Sequence, residues 1–77
     1  MPHVVVKMLP GRTEEQKTQL ASAIVRDVVA IARCGEEAVS VAIEEVSSSD
    51  WTEKVYRPEI ATAAERGTLY WRPGYEP

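Results

Sequence analysis

The 77-residue chain has few of the residues with which small proteins cross-link themselves. Its single cysteine, Cys34, excludes an internal disulfide, and one cysteine with one histidine falls short of the roughly four ligands of a protein zinc site. A domain of this size buries only about 60% of the surface of its unfolded chain, so its own core gives marginal stability. The composition therefore predicts that the chain gains stability by self-association.

Excess positive charge, long apolar runs and a leader-like start are also missing. The net charge of -3 and the pI near 5.1 argue against a nucleic-acid partner, which requires a basic surface. No apolar run approaches the ~20 residues that span a bilayer. The N-terminus lacks the basic and apolar regions of a signal peptide. We therefore expect a cytoplasmic protein with neither a nucleic-acid nor a membrane partner.

Two segments have the alternating pattern of β-strands. Residues 2–9 include three consecutive valines and favour a strand, which Pro10-Gly11 ends with turn residues. Residues 38–46 favour a second strand. With a helix between them, the strands should be parallel and joined by a right-handed crossover, which predicts an α/β protein of β-α-β type. Such a unit leaves both sheet edges open, so pairing with a second copy is expected.

The helix between the strands has clear end signals. Thr13 and Gln16 have the spacing of a capping box, with Thr13 as the N-cap. Apolar residues then recur at helical spacing to about Arg33. Gly35 is the predicted C-terminal stop. The predicted length of roughly 20 residues, about 30 Å, is sufficient for a crossover.

The last third of the chain differs in composition. We predict one domain over residues 1–77, with a β-α-β core at 2–51 and an aromatic-rich C-terminal tail at 52–77. Pro58 fits the first turn of a short helix that Gly67 closes. All five aromatic residues lie between residues 51 and 75, at the end of the core and in the tail: Trp51, Tyr56, Tyr70, Trp71 and Tyr75.

Pro2 is a candidate catalytic residue because a small second residue permits removal of Met1. The free proline nitrogen is then a secondary amine that can act as a base. Burial beside Val4 and Val6, or a nearby arginine, would lower the pKa of such an amine toward neutrality, where proton transfer is efficient. The alternative interpretation is that Pro2 only opens an edge strand.

Other candidates also have a structural alternative. Arg12 can offer its guanidinium to a carboxylate, or lie solvated in its loop. Trp51 can wall a pocket or anchor the tail by packing. Ser40 can face a site, but without a neighbouring base it is not a convincing nucleophile. His3 is expected to point to the opposite face from Pro2 and to serve as a structural hydrogen-bond partner.

Taken together, these segments resemble the tautomerase superfamily, whose type member is 4-oxalocrotonate tautomerase. The similarity spans residues 2–51 and rests on Met1-Pro2 before an apolar strand, on residues 11–17 and on residues 39–46. The remainder is similar to the small dimeric bacterial branch of the PptA type. That similarity rests on Met1-Pro2-His3, Trp51, Glu59-Ile60 and Pro73-Gly74-Tyr75.

The resemblance implies a cofactor-independent isomerase with the β-α-β tautomerase fold, in which two protomers pair their strands into a four-stranded sheet. By position, Pro2 is the general base of lowered pKa that moves a proton between oxygen and carbon of an enol or 2-oxo acid. Arg12 matches the arginine that holds the substrate carboxylate, often from a neighbouring subunit. Trp51 and Leu9 match positions that line the pocket, and no metal is implied.

Ser40 marks a departure from the family pattern. The dicarboxylate-processing members have a second arginine at this substrate-binding position. Loss of one charge-assisted clamp should cost about 1.5–3 kcal/mol of carboxylate binding. The expected substrate is therefore an enolpyruvate with a neutral or aromatic tail, such as phenylenolpyruvate, rather than a dicarboxylate.

Two other functions and two assemblies stay open at this point. The chain could be a non-catalytic β-α-β module for dimerisation or ligand binding, or it could perform hydratase or dehalogenase chemistry on an unsaturated acid. The tail favours a homodimer, whereas the Gly11-Arg12 loop is similar to the hexameric branch of the family.

Overall fold

The computed structural model describes residues 1–77, which form a β-α-β unit followed by a helical C-terminal unit. The first unit, residues 1–45, contains β1 (His3–Met8), α1 (Glu14–Ala32), a 3-10 turn (Glu36–Ala38) and β2 (Ser40–Glu45). The predicted βαβ order is therefore confirmed. No helix of the chain combines the length and apolar character needed to cross a membrane.

The two strands are parallel, and their register decides which side chains are neighbours. His3 lies opposite Ser40, and Val4 lies opposite Val41. Side chains alternate along a strand, so His3 and Ser40 share one face of the sheet while Val4 and Val41 share the other. Helix α1 lies against β2 on the face that carries Val41. The face of His3 and Ser40 is thus the one that α1 leaves open.

The start of α1 confirms the predicted capping box. The Gln16 backbone N–H donates to Thr13 Oγ1 at 3.1 Å, and the Thr13 N–H donates to Gln16 Oε1 at 2.9 Å. These two bonds satisfy backbone donors that the first turn of a helix leaves without an intrahelical partner. The predicted start of α1, with Thr13 as the N-cap, is therefore confirmed.

The end of α1 agrees with the predicted boundary near Arg33, but the residue that stops the helix is not the predicted Gly35. The last helical residue is Ala32, and the C-cap residue Arg33 adopts the left-handed conformation with φ 59° and ψ 61°. Gly35, the predicted stop, is extended instead, because its carbonyl accepts the Ala38 N–H at 3.1 Å to open the 3-10 turn. Val39 donates to the Glu36 carbonyl within the same turn, so β2 begins at Ser40 rather than at residue 38.

The second unit, residues 46–77, is helical from Ser48 to Arg66. Its elements are α2 (Ser48–Trp51), a π-helical segment (Thr52–Ala61) and α3 (Thr62–Arg66). The prediction that Pro58 starts a helix is wrong, because Pro58 lies inside the π-helical segment. Proline lacks an N–H and its ring clashes with the carbonyl of the preceding α-helical turn, and the wider π turn avoids this conflict. Gly67 ends α3 at φ 73°, as predicted.

Burial is slight throughout the chain. Val55, in the second unit, is the one buried residue, at 4% exposure. No residue of the first unit is buried, including every position of α1. The apolar stripes of β1, β2 and α1 are therefore only partly covered by the chain itself.

Lys17 connects the start of α1 to the end of β2 through two ion pairs. Its ammonium lies 2.8 Å from Glu14 Oε1 and 3.4 Å from Glu45 Oε2, and its side chain is 17% exposed. The hydrogen bond to Glu14, together with the nearby charges of both carboxylates, raises the pKa of Lys17 above its ordinary value of 10.5. The folded chain therefore binds this proton more tightly than the unfolded chain does.

Replacing Thr13 with alanine should lower the free energy of unfolding by about 1 kcal/mol, because the first turn loses its side-chain cap. Urea denaturation followed by circular dichroism at one fixed protein concentration measures the change. Thr18→Ala is the matched control, since Thr18 lies exposed within α1 and alanine favours helix. Equal losses in the two variants would contradict the capping role.

Replacing Lys17 with methionine should destabilise the chain at pH 8, and the difference from the wild type should shrink above about pH 10.5. The raised pKa stabilises the fold while the lysine is charged, and this contribution disappears as the pH rises through the folded-state pKa. Urea midpoints at pH 8 and pH 11 test this. Lys54→Met is the control, because the Lys54–Asp50 pair is exposed and should contribute little at either pH.

Candidate active site

Pro2 lies at the open end of the sheet, immediately before β1. Met1 is fully exposed and Pro2 is half-buried. The Ser40 backbone N–H donates to the Pro2 carbonyl at 3.1 Å, so β2 holds the peptide that follows the Pro2 ring. The backbone next to the Pro2 ring is therefore held to β2. Of the predicted site residues, Pro2 and Ser40 are the two that the structure links directly.

His3 and Ser40 form a side-chain pair that the sequence reasoning missed. His3 Nδ1 lies 2.6 Å from Ser40 Oγ, and both residues are exposed. The expectation that Ser40 has no neighbouring base is therefore wrong. The available signal was the strand register, because aligning His3-Val4-Val5-Val6 with Ser40-Val41-Ala42-Ile43 puts the two polar residues opposite each other.

Leu9 and Arg12 lie beyond the other end of β1. Both are exposed, with Leu9 at 39%, and the intervening Gly11 has φ 130°, a conformation that favours glycine. The six residues of β1 span about 20 Å at ~3.3 Å per residue. An arginine side chain is shorter than this separation. Within one chain the structure therefore keeps Arg12 apart from Pro2.

Trp51 belongs to the second unit, where it forms part of an aromatic cluster with Tyr56 and Tyr75. The indole Nε1–H donates to the Tyr75 hydroxyl at 2.8 Å. The rings of Tyr56 and Tyr75 lie 5.7 Å apart between centroids and are tilted by 54°. This geometry is favourable for an aromatic pair. The polar edge of Trp51 is thus satisfied, which leaves the faces of its ring for apolar contact.

A groove of the first unit contains none of the predicted site residues. It has a volume of about 390 Å³ and lies between α1 and β2, on the face opposite His3 and Ser40. No three His, Cys, Asp or Glu side chains are grouped so that they could hold a metal ion. The lining residues of the groove are Glu14, Lys17, Thr18, Ala21, Val41 and Ile43.

Comparison with known proteins identifies the family. The family model described as tautomerase enzyme matches residues 2–56. A probable tautomerase of Xylella fastidiosa is 43% identical over 75 residues, which cover 97% of this chain and 89% of that protein. The tautomerase PptA of Cronobacter sakazakii is 36% identical over 77 residues, covering 99% of each chain. The similarity therefore extends over nearly the whole length.

Two solved structures share the fold. YwhB, a homologue of 4-oxalocrotonate tautomerase, is 43% identical with a TM-score of 0.59, over 60% of this chain and 75% of that one. A trans-3-chloroacrylic acid dehalogenase structure is 28% identical with a TM-score of 0.61, over 64% and 92% of the two chains. The chain belongs to the tautomerase family and has the β-α-β fold of 4-oxalocrotonate tautomerase. It is an enzyme of the isomerase class.

Proposed function

We propose that this enzyme catalyses keto–enol tautomerisation of a small enol or 2-oxo acid with a neutral or aromatic tail, and that it needs no cofactor. Pro2, freed by removal of Met1, is the general base, and Arg12 binds the substrate carboxylate. The observation that carries this proposal is the family match, which begins at residue 2 and therefore has Pro2 as its first position.

The proposed chemistry uses the properties of a terminal proline. An α-amino group ordinarily titrates near pH 7.7–8.0, close to the operating pH at which a base is most effective. The Pro2 nitrogen takes the proton of the enol hydroxyl and returns a proton to the neighbouring carbon. The hydrogen bond from Ser40 to the Pro2 carbonyl supports this role, because it restrains the peptide next to the amine.

In this proposal Arg12 binds the carboxylate of a substrate whose proton is transferred by the Pro2 of a neighbouring subunit. The separation of Arg12 from Pro2 along β1 supports it, since one chain alone does not bring the base and the carboxylate-binding group together. The partial exposure of every residue in the first unit supports self-association as well. A homodimer in the cytoplasm is the proposed form of the enzyme.

Three further residues complete the proposed site. Ser40 occupies the position at which the resemblance places a second arginine in dicarboxylate-processing members. Its hydroxyl is neutral, which favours a substrate with only one carboxylate. Leu9 and Trp51 supply apolar walls that keep water from the reacting atoms, so that charges act at low dielectric. The exposure of Leu9 in a single chain is compatible with a wall position that a second subunit covers.

Dehalogenation is the second candidate, because one structural neighbour is a trans-3-chloroacrylic acid dehalogenase. Tautomerisation is favoured because relatives named as tautomerases are more similar and match nearly the full length of the chain. Chloride release from trans-3-chloroacrylate, measured beside ketonisation of phenylenolpyruvate, separates the two reactions. Faster chloride release than ketonisation would reverse the preference.

Replacing Pro2 with alanine should lower kcat/KM for phenylenolpyruvate by at least about 100-fold, because general-base catalysis typically contributes 10²- to 10⁴-fold. Ketonisation is followed by ultraviolet absorbance. Intact mass of both proteins is the control, since Met1 must be absent for the comparison to concern the amine. Wild-type turnover by a correctly processed variant would overturn the role of Pro2.

A mixture of Pro2→Ala and Arg12→Ala chains, refolded together, should recover activity that neither variant has alone. In a dimer with shared sites, half of the random pairs are mixed and each mixed pair has one intact site of two, so about a quarter of the wild-type activity returns. Each variant refolded alone is the control. Absence of recovery would show that Arg12 acts within its own chain or not at all.

A further inference from the structure

The pair formed by His3 and Ser40 is a polar feature of the open sheet face beside Pro2. The two side chains are cross-strand neighbours, with Nδ1 and Oγ 2.6 Å apart. Ser40 also binds the Pro2 carbonyl through its backbone N–H. The pair is therefore one peptide away from the proposed base. This backbone hydrogen bond is the observation that links the pair to the proposed base.

The pair of His3 and Ser40 keeps a hydrogen-bond donor that a ligand can use. If the Ser40 hydroxyl donates to His3 Nδ1, the neutral imidazole carries its proton on Nε2 and that N–H is not used in the pair. If Nδ1–H donates instead, the Ser40 hydroxyl keeps its own hydrogen for another acceptor. In either tautomer the pair retains one donor beyond its internal bond. Both residues are exposed, so a ligand can reach that donor.

The charges on this face favour a neutral ligand group over a carboxylate. The next polar side chains along the same face are Lys7 and Glu44, which lie 3.9 Å apart and offset each other. The pair itself supplies one neutral donor, whereas carboxylates are held best by a charged, forked donor such as arginine. A hydroxyl or carbonyl oxygen is therefore the better match.

A nucleophilic role for Ser40 fits the geometry less well. Acyl transfer needs backbone or side-chain donors aimed at a developing oxyanion, and the N–H of the nucleophile often serves as one of them. The Ser40 N–H is already bound to the Pro2 carbonyl. The existing hydrogen bonds therefore favour a role for the Ser40 side chain in binding substrate rather than in nucleophilic attack.

We infer that His3 and Ser40 form a subsite for a neutral oxygen on the substrate tail. The preferred substrates are then enol or 2-oxo acids that carry a hydroxyl or carbonyl group at the end distal to the carboxylate. The inference rests on the proposed function for its placement, and it adds His3 as a specificity-determining residue.

Turnover of two matched substrates tests the subsite. The wild type should prefer 4-hydroxyphenylenolpyruvate over phenylenolpyruvate by about three- to tenfold in kcat/KM, the range that one neutral hydrogen bond provides. Ser40→Ala and His3→Leu should each bring this ratio close to one. Glu44→Gln, which changes the neighbouring cross-strand pair on the same face, should keep the wild-type ratio. An unchanged ratio in Ser40→Ala, or no wild-type preference, would overturn the inference.

A binding measurement separates this inference from the proposed function. His3 is the one histidine of the chain, so its imidazole nitrogens give an unambiguous NMR signal. Saturating 3-(4-hydroxyphenyl)propionate, an unreactive acid, should shift this signal severalfold more than 3-phenylpropionate does. If Pro2→Ala keeps full turnover while the shift difference persists, the proposed base is wrong and the subsite stands. If Pro2→Ala loses turnover while both acids shift the signal equally, the proposed base stands and the subsite is wrong.

Discussion

A two-stranded sheet with a single helix cannot bury its own apolar surface, and this constraint governs the rest of the first unit. Every residue from 1 to 45 keeps some exposure, and Val5 and Ile31 remain 43% and 81% exposed. The hydrophobic contribution from such partial burial is small relative to the conformational entropy that folding costs. The same shortage of buried surface that limits stability also provides apolar faces for a second copy of the chain.

The length of β1 makes self-association relevant to the proposed catalysis as well. The ends of β1 are farther apart than any side chain can reach, so residues at its two ends contact different groups. Pro2 is at one end and Arg12 lies beyond the other. An enzyme that needs both groups at one substrate must combine two chains. In the proposed mechanism, self-association therefore serves the chemistry as well as stability.

The sequence predicted the features that depend on near neighbours. The capping box at Thr13 involves residues three apart, and the helix start was correct. The predicted helix end near Arg33 was also correct, whereas Gly35 is not the stop, because this glycine is extended and opens the 3-10 turn. Pro58 was misread because proline normally ends an α-helix, whereas a π-helical turn accommodates it. The π-helical turn has no simple sequence signal.

The pairing of His3 with Ser40 shows why the polar part of the site was harder to predict than the fold. The two residues are 37 positions apart, and only the strand register makes them neighbours. A shift of one residue would place a valine, Val39 or Val41, opposite His3 and would move the apolar side chains to the wrong face. The partial burial of Val4 and Val41 on one face therefore selects the register, and the register in turn creates the polar pair on the other. Apolar packing on the helix side of the sheet thus determines which hydrogen bond forms beside the proline.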